Sequence, residues 1–202
     1  GSGKTRTLTH RLAYQVLRDP ASKKIKIAIT YTNRAAEEIT NRLEGMNIDQ
    51  SSIWAGTIHQ FCMHFIIRPY AMYSKRLCKG YRIIDDYSKK AYGREIAERL
   101  GMHLNYYDDP FQYENVRTEY KRVLKEKKEI DFDAILLISE ELLASCAFIG
   151  SNIASVISSI LVDEFQDTNE LQYSILSTIY KANKSIILMF VGDVNQAIYS
   201  SL

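Results

Sequence analysis

The sequence is poor in the features that mark secreted, membrane-embedded or zinc-stabilised proteins. Its three cysteines, Cys62, Cys78 and Cys146, are scattered without metal-binding spacing, and His59 and His64 form no zinc pattern with them. No apolar run approaches the roughly 18 residues of a membrane-spanning helix, and no signal peptide is visible. We therefore expect no membrane partner, a reducing compartment such as the cytoplasm, and buried free thiols.

The sequence also has no large excess of charge of either sign. The formal net charge is +2 and the isoelectric point is near 8.3. These values neither indicate nor exclude nucleic-acid binding, because binding depends on a local basic patch rather than on the net charge of the chain. The hydrophobic fraction of 46% and the charged fraction of 25% are ordinary for a globular protein. At 202 residues the chain is long enough for one large domain or for a domain with an inserted lobe.

The first five residues, GSGKT, read as the end of a phosphate-binding loop. The full pattern is G-x-x-x-x-G-K-[ST], so Gly3 would be its second glycine. In such a loop backbone N–H groups face the phosphates, Lys4 reaches the β- and γ-phosphates of ATP, and the Thr5 hydroxyl holds Mg²⁺. Gly1 and Ser2 belong to this loop or are a cloning remnant, and the interpretation of the other three residues is the same in both cases.

A pair of adjacent carboxylates follows an apolar run near residue 160. The run at residues 160–162 predicts a buried strand that ends at Asp163 and Glu164. Carboxylates at the C-terminal end of a parallel strand face the ligand crevice, where Asp163 can hold Mg²⁺ and Glu164 can accept a proton from an attacking water molecule. A solvated acidic turn is the alternative for these two residues alone. Their occurrence together with GKT favours an ATP-hydrolysing site.

Strand and helix patterns alternate over most of the chain. Strands are predicted at residues 25–31, 53–55, 160–162 and 186–191, and helices at 4–17, 32–43, 59–67 and 130–143 and around Leu171, Ile175 and Ile179. The strands are rich in β-branched and apolar residues, as expected for strands that are buried on both faces. The pattern predicts an α/β fold in which helices flank a parallel sheet.

Residues 70–129 interrupt this alternation. Nine of the 14 tyrosines lie between residues 70 and 128, and basic residues gather at Lys121, Arg122, Lys125, Lys127 and Lys128. We interpret the segment as an inserted helical subdomain, with residues 1–69 and 130–202 forming one discontinuous domain around it. Aromatic and basic side chains together suit single-stranded nucleic acid, but tyrosines packing a small lobe beside a solvated lysine face would give the same pattern.

Five segments follow one another in a recognisable order: GSGKT, TYTNRAAEEI, GTIHQF, LVDEFQDTNELQY and VGDVNQAIYS. In this order they resemble the first half of UvrD/Rep/PcrA-type superfamily-one DNA helicases, and DFDAIL at residues 131–136 is similar to the family's return from its inserted lobe. The resemblance runs from end to end of the chain, although the insert matches only in position. It implies a RecA-like P-loop motor domain of an ATP-dependent DNA helicase that moves along single-stranded DNA and unwinds duplex DNA.

The resemblance also implies roles in ATP hydrolysis. ATP binding would fall to Gly1, Ser2, Gly3, Lys4, Thr5 and Arg6, Mg²⁺ binding to Thr5 and Asp163, and catalysis to Glu164 as the base and Gln196 as the γ-phosphate sensor. Gln196 could equally be a turn residue after a strand, but its position in GDxxQxIY favours the sensor role.

A second set of residues would contact DNA. The resemblance places along a single-stranded DNA track Tyr31, Thr32, Asn33, Thr57, His59 and Tyr199. Hydroxyls and amides can hold phosphates and tyrosine rings can stack on bases, in both cases without reading the base sequence. Three of these residues also have a plain structural alternative, since Tyr31 can close a core strand, Thr57 can cap a helix and His59 can start one.

Two departures from the family pattern leave other functions open. Tyr199 is followed by Ser200, Ser201 and Leu202 where the family continues into Phe-Arg-Gly. The sequence also lacks the second motor domain, which in the family supplies arginine fingers to the ATP cleft. We therefore expect the chain alone to be nearly inactive and its partners to be ATP, single-stranded DNA, single/double-strand junctions and the second motor domain of a longer protein. The alternatives are a nucleotide-dependent nucleic-acid-binding protein without unwinding activity and part of a helicase–nuclease.

Overall fold

The computed structural model describes residues 3–105 and 107–192. Its strands are β1 (Ile25–Thr30), β2 (Ile53–Thr57), β3 (Arg82–Ile83), β4 (Glu129–Ile130), β5 (Ile157–Val162) and β6 (Ile187–Phe190). Four of them form a parallel sheet in the order β2-β1-β5-β6, and β3 pairs with β4 in a separate parallel ribbon.

The helices account for most of the remaining chain. They are α1 (Lys4–Arg18), α2 (Asn33–Gly45), α3 (Ile58–Phe61), α4 (Arg68–Tyr70), α5 (Asp86–Arg99), α6 (Glu114–Lys127), α7 (Phe132–Ser145), α8 (Ala147–Val156) and α9 (Glu170–Ala182). A π-helical turn covers Cys62–Ile67, and 3₁₀ turns cover Ala71–Tyr73, Pro110–Gln112 and Phe165–Asp167. Within the described residues, none of the helices has both the length and the apolar character needed to cross a membrane.

Helices cover both faces of the sheet, because successive residues of the central strands point to opposite sides. Ile27 of β1 and Ile160 of β5 pack into a cluster with residues of α3, α7, α8 and α9. Ala28 and Leu161, one position further along, pack on the other face with residues of α1 and α2 such as Leu12. All five side chains are fully buried, and burial of a large aliphatic side chain contributes about 1.5–3 kcal/mol. The predicted α/β class with a parallel sheet flanked by helices is confirmed.

The prediction of one regular α-helix over residues 59–67 is wrong, because most of this segment is π-helical. α3 ends at Phe61 and the chain widens into a π-helical turn, in which the Arg68 N–H donates to the Met63 carbonyl five residues earlier. Pro69 follows at once, and proline cannot donate to the carbonyl four residues before it and clashes with that group. The wider register ahead of Pro69 accommodates this constraint, which the apolar periodicity alone does not reveal.

The segment between β3 and β4 contributes a hydrophobic cluster of its own. Its buried residues are Ile84, Ile96, Ala97, Val116, Tyr120 and Leu124, supplied mainly by α5 and α6. We refer to residues 84–124 as the lobe. Residues before the lobe behave differently, since Leu77 is buried in the cluster of the main sheet. The ribbon of β3 and β4 joins the lobe to the rest of the protein, and Arg82 forms an ion pair with Glu129 across it.

The helix α8 and the strands β3 and β4 were not predicted from the sequence. α8 covers Ala147–Val156, and β5 begins directly after it at Ile157 rather than at residue 160. The apolar residues of α8 are interrupted by Gly150 and several serines, so their spacing gives a weak helical signal. The two-residue strands β3 and β4 are too short to show any periodicity.

Candidate functional site

The candidate site lies at the carboxyl edge of the sheet, where β1 and β5 end and α1 begins. Gly3 is the N-cap of α1 with φ of 74°, a left-handed conformation that glycine adopts without the steric cost of a side chain. Its carbonyl accepts the Thr7 N–H at 2.9 Å, which closes the first turn of the helix. The first N–H groups and the dipole of α1 therefore favour an anion at this edge.

Thr5 and Asp163 form the buried part of the site. The Thr5 hydroxyl donates to Asp163 Oδ2 at 2.9 Å, and the Glu164 N–H donates to Asp163 Oδ1 at 3.0 Å. The N–H of Asp163 donates to the Ile29 carbonyl at 2.8 Å, which fixes this residue at the end of the sheet. Burial raises the pKa of the Asp163 carboxyl, and the bonds from Thr5 and Glu164 oppose that shift. Thr5 and Asp163 thus present adjacent oxygen atoms of the kind that hard divalent cations prefer.

Glu164 and Lys4 form the more open part. Glu164 has φ of 51° and ψ of 47°, a left-handed conformation that costs a non-glycine residue about 1–2 kcal/mol. Lys4 Nζ donates to Glu164 Oε2 at 2.5 Å, and Gln166 Nε2 donates to the same oxygen. Lys4 first and Gln166 second lower the pKa of the Glu164 carboxyl. Glu164 is therefore an ionised carboxylate at neutral pH, the form that can accept a proton.

Thr5, Asp163 and Glu164 line a cavity of about 400 Å³. The other residues that line it are Tyr31, Thr32, Ala35, Gln166 and Asp167. Tyr31 and Thr32 directly follow β1. The Tyr31 side chain is largely exposed, whereas Thr32 caps α2 by accepting the Ala35 N–H at 3.2 Å. The structure thus brings Tyr31 and Thr32, which were predicted to contact DNA, into the same cavity as Thr5 and Asp163, which were predicted to hold Mg²⁺.

Sequence reasoning gave no role to Gln166 or Asp167, although both lie in the DEFQD stretch. Gln166 donates to Glu164, and its neighbour in space, Gly192, leaves room for its side chain. A Cβ atom at Gly192 would lie 2.7 Å from Gln166 Oε1 and 3.3 Å from the Phe165 nitrogen, so only glycine leaves this arrangement undisturbed. A glutamine in a turn has no periodic signature, and its position three residues after Asp163 was the one signal available.

Thr57 and His59 lie at the start of α3, outside the 400 Å³ cavity. Thr57 and Gln60 form a capping box, in which the Gln60 N–H donates to Thr57 Oγ1 at 3.3 Å and the Thr57 N–H donates to Gln60 Oε1 at 2.9 Å. The His59 ring packs edge-to-face on Phe132 with a centroid distance of 6.0 Å. Burial lowers the pKa of His59, and the nearby Asp133 carboxylate acts in the opposite direction. Thr57 therefore caps α3 and His59 packs near its start, whether or not either residue also contacts DNA.

The remaining predicted residues fall into two groups. Arg6 and Asn33 are exposed and do not line the cavity, and Arg6 Nε donates to His10 Nε2 at 3.4 Å. Four residues lie outside the described part of the chain, namely Gly1, Ser2, Gln196 and Tyr199.

Comparison with known proteins identifies similar sequences. The model of the UvrD/REP helicase N-terminal domain matches residues 1–109 and 105–201. The chain is 28% identical to ATP-dependent DNA helicase PcrA of Leuconostoc citreum and 28% identical to DNA helicase II of Escherichia coli (strain K12). It is 27% identical to ATP-dependent DNA helicase PcrA of Staphylococcus aureus (strain Mu50). Each match covers 98% of the chain but 30% or 31% of the other protein, so the chain spans about a third of the length of the curated relatives it matches.

Proposed function

The chain belongs to the UvrD/REP helicase N-terminal domain family, and from this premise we propose that it is the first motor domain of an ATP-dependent DNA helicase. The observation that carries the proposal is the meeting of Lys4 and Thr5 with Asp163 and Glu164. About 160 positions separate the two pairs in the sequence, yet their side chains are in hydrogen-bond contact at the edge of the sheet. A phosphate-binding helix start beside two carboxylates is the arrangement that ATP hydrolysis needs.

Phosphate binding falls to the start of α1. Gly1, Ser2 and Gly3 contribute backbone N–H groups to the loop, and Lys4 reaches the β- and γ-phosphates. In the structure Lys4 is paired with Glu164, so the phosphate oxygens compete with this carboxylate for the ammonium group. Arg6, one residue beyond Thr5, lies near the nucleotide in this proposal.

The residues present fit a magnesium ion. Thr5 Oγ1 and Asp163 Oδ2 are 2.9 Å apart, and a hydroxyl next to a carboxylate is the ligand pair that Mg²⁺ uses together with phosphate oxygens. When bound, the ion neutralises charge that develops on the phosphates. Among the described residues, no group of three or more His, Cys, Asp or Glu side chains could hold a metal ion.

Glu164 is the proposed general base. Its left-handed backbone and its bond from Gln166 hold the carboxylate in the lining of the cavity, where it takes a proton from the water that attacks the γ-phosphate. Transfer of Lys4 to the phosphates leaves Gln166 as a donor that keeps the carboxylate oriented. Gln196 is proposed as the sensor of the γ-phosphate, as its motif implies.

The DNA track is proposed to run over the same edge of the sheet. Tyr31, Thr32 and Asn33 follow β1. Thr57 is the last residue of the neighbouring strand β2 and His59 follows it, so the two groups lie side by side at the strand ends. Tyr199 completes the set from the family motif. The exposed Tyr31 ring offers a stacking surface, and such stacking contributes about 1–3 kcal/mol for each base.

The cellular setting is part of the proposal. The similar proteins named above are DNA helicases by name, and we propose that single-stranded DNA and single/double-strand junctions are the substrates of a longer protein whose second motor domain completes the ATP cleft. Residues 70–129 form its inserted subdomain, between 1–69 and 130–202. All three cysteines are free thiols, which fits the cytoplasm.

Calorimetric titration with Mg-ATP tests the nucleotide site. We expect Lys4→Ala to abolish binding, whereas Lys24→Ala, which removes an exposed lysine before β1, should bind as the wild type does. Equal affinities of the wild type and Lys4→Ala would remove Lys4 from the site.

Single-turnover hydrolysis by the protein with both motor domains tests the base. Glu164→Gln should retain ATP affinity but lower turnover by roughly 10²–10⁴, the scale of general acid–base catalysis. Unchanged turnover would show that Glu164 is not the base and has only a structural role in the turn.

A further inference from the structure

One threonine interrupts the apolar face of α1. The buried residues of this helix are Leu8, Thr9, Leu12, Ala13 and Val16, and all of them except Thr9 are apolar. They follow the spacing of a helix face that packs on a hydrophobic core. The Thr9 side chain is fully enclosed. A hydroxyl group therefore occupies a position that is otherwise suited to an aliphatic side chain.

The Thr9 hydroxyl bonds back to the preceding turn of its own helix. Thr9 Oγ1 donates to the Thr5 carbonyl at 2.8 Å. In a regular α-helix this carbonyl already accepts the N–H of residue 9, so the hydroxyl is a second donor to the same oxygen. Such a bond slightly destabilises a helix and often bends it. The stability of α1 thus gives no reason for a buried hydroxyl at this position.

The acceptor of this bond belongs to a residue of the proposed Mg²⁺ site. The Thr5 hydroxyl donates to Asp163 Oδ2 at 2.9 Å, while the Thr5 carbonyl accepts from Thr9. Asp163 is fixed by the sheet, because its N–H donates to the Ile29 carbonyl at 2.8 Å. Thr5 lies in the first turn of α1, where the N–H groups have no partner within the helix and helices fray. The bond from Thr9 constrains Thr5 where the helix itself constrains it least.

We propose that Thr9 is a positioning residue that sets the orientation of Thr5 in the Mg²⁺ site, an inference that rests on the proposed function. The hydroxyl of Thr9 fixes the peptide group of Thr5, and the direction of Thr5 Oγ1 follows from that of its backbone. Control of this kind matters because Mg²⁺ requires nearly ideal octahedral geometry with ligands at about 2.0–2.1 Å. Thr9 touches neither the ion nor the nucleotide and acts only through Thr5.

Two substitutions of Thr9 should have opposite effects on stability and on binding. Thr9→Val replaces the hydroxyl by a methyl group of similar size, so the midpoint of thermal unfolding should equal or exceed that of the wild type. Its Mg-ATP affinity, measured by calorimetry, should fall about tenfold, the lower end of the range for a residue that orients a metal ligand. Thr9→Ser keeps the hydroxyl but loses a buried methyl group. It should unfold at a lower temperature and bind Mg-ATP as the wild type does.

Thr40→Val is the matched control. Thr40 Oγ1 donates to the Ala36 carbonyl at 3.2 Å, so the same substitution removes the same kind of bond from α2. Thr40 is exposed and does not line the 400 Å³ cavity. The Mg-ATP affinity of this variant should stay within about twofold of the wild-type value, as for most surface substitutions.

Several results would overturn the role of Thr9. They are an unchanged affinity in Thr9→Val, an equal loss in Thr40→Val, and a loss in Thr9→Ser as large as that in Thr9→Val. A loss in Thr9→Val together with a lower midpoint of unfolding would assign the residue to packing instead. Circular dichroism verifies that each variant is folded.

Thr5→Ala separates this inference from the proposed function. If Thr5→Ala loses Mg-ATP binding and Thr9→Val does not, Thr5 remains the proposed ligand and Thr9 has no part in positioning it. If Thr5→Ala binds Mg-ATP as the wild type does, the proposed Mg²⁺ site is wrong and the inference about Thr9 falls with it. A wild type that binds no Mg-ATP removes the proposed function itself.

Discussion

Glu164 depends on a residue that lies just beyond another strand. Its carboxylate is held by Gln166, and Gln166 has room because Gly192, two residues after the end of β6, carries no side chain. The Phe165 N–H also donates to the Val191 carbonyl at 3.0 Å. The geometry of the proposed base is therefore set jointly by the turn after β5 and by the end of β6.

Substitution of Gly192 should disturb this arrangement without unfolding the protein. A methyl group from Gly192→Ala would displace Gln166 from Glu164, and a hydrogen bond to a charged group contributes about 1.5–3 kcal/mol. We expect a roughly tenfold or greater fall in single-turnover ATP hydrolysis by the protein with both motor domains.

Gly150→Ala is the matched control for this prediction. A Cβ atom there would meet its nearest neighbours, Ala182 and Leu143, at 3.9 Å, and alanine is favoured over glycine inside a helix by about 0.5–1 kcal/mol. Turnover should stay at the wild-type value. A similar loss of activity in both glycine variants would contradict the role given to Gln166.

The three cysteines should differ sharply in reactivity. Burial raises the pKa of the Cys62 thiol to about 12, and the side chain is fully enclosed, whereas Cys78 is exposed. Because the thiolate is the reactive form, Cys62 should resist alkylation across the pH range below its pKa and react only after denaturation. Mass spectrometry after iodoacetamide treatment at pH 8, with and without denaturant, measures this, and rapid labelling of Cys62 in the native protein would contradict the packing of the π-helical turn.

At the scale of elements, the sequence predicted those that have strong local signals. β1 is largely apolar, β5 ends in the apolar residues 160–162, and α1, α2 and α9 have regular apolar spacing, so their positions were predicted to within a few residues. The π-helical turn, α8 and the ribbon of β3 and β4 depend on tertiary packing or are too short for periodicity. The sequence gives the residues of these elements but not the tertiary contacts that stabilise them.

The site shows the same division. Lys4, Thr5, Asp163 and Glu164 could be brought together from the sequence, since a glycine-rich loop and a strand-end carboxylate pair meet at one edge of a parallel sheet. The bond from Gln166 and the approach of Gly192 could not, because they depend on the backbone of a turn and on the neighbouring strand.

The capping box at the start of α3 offers an element-scale test. Thr57→Ala removes the side chain that accepts the Gln60 N–H, and loss of such a cap costs about 0.5–2 kcal/mol. We expect the free energy of unfolding to fall by about 1 kcal/mol. Trp54 is the single tryptophan and packs on Phe61 and Phe65, so its fluorescence during urea titration reports on this region.

Thr57→Ser keeps the hydroxyl and should restore most of the lost stability. If serine and alanine destabilise the protein equally, the methyl group rather than the cap is what matters at this position.

At the scale of the whole molecule, the lobe and the sheet have separate hydrophobic clusters joined through the ribbon. Limited trypsin digestion should therefore cut first beside the ribbon, after Lys79, Lys127 or Lys128. All three lysines are exposed. Lys79 and Lys127 directly precede residues with positive φ, and Lys128 has a positive φ. Mass spectrometry of the early products locates the cuts. Lys26, buried within β1, is the internal control, and cleavage there before the ribbon would contradict this division.

The ribbon has one more consequence, for how such a protein can change over generations. Arg82 is in register with Glu129, and its N–H donates to the Lys128 carbonyl at 2.9 Å, so the chain departs for the lobe and returns from it at neighbouring positions. Because the two strands are parallel, the chain between them has to run back along the pair, and such a crossover takes a dozen or more residues. The lobe is thus topologically one long crossover connection. It can be enlarged or replaced in a single genetic step by another segment long enough to make the crossover, while the order of the strands in the sheet and the positions of Lys4, Thr5, Asp163 and Glu164 stay as they are.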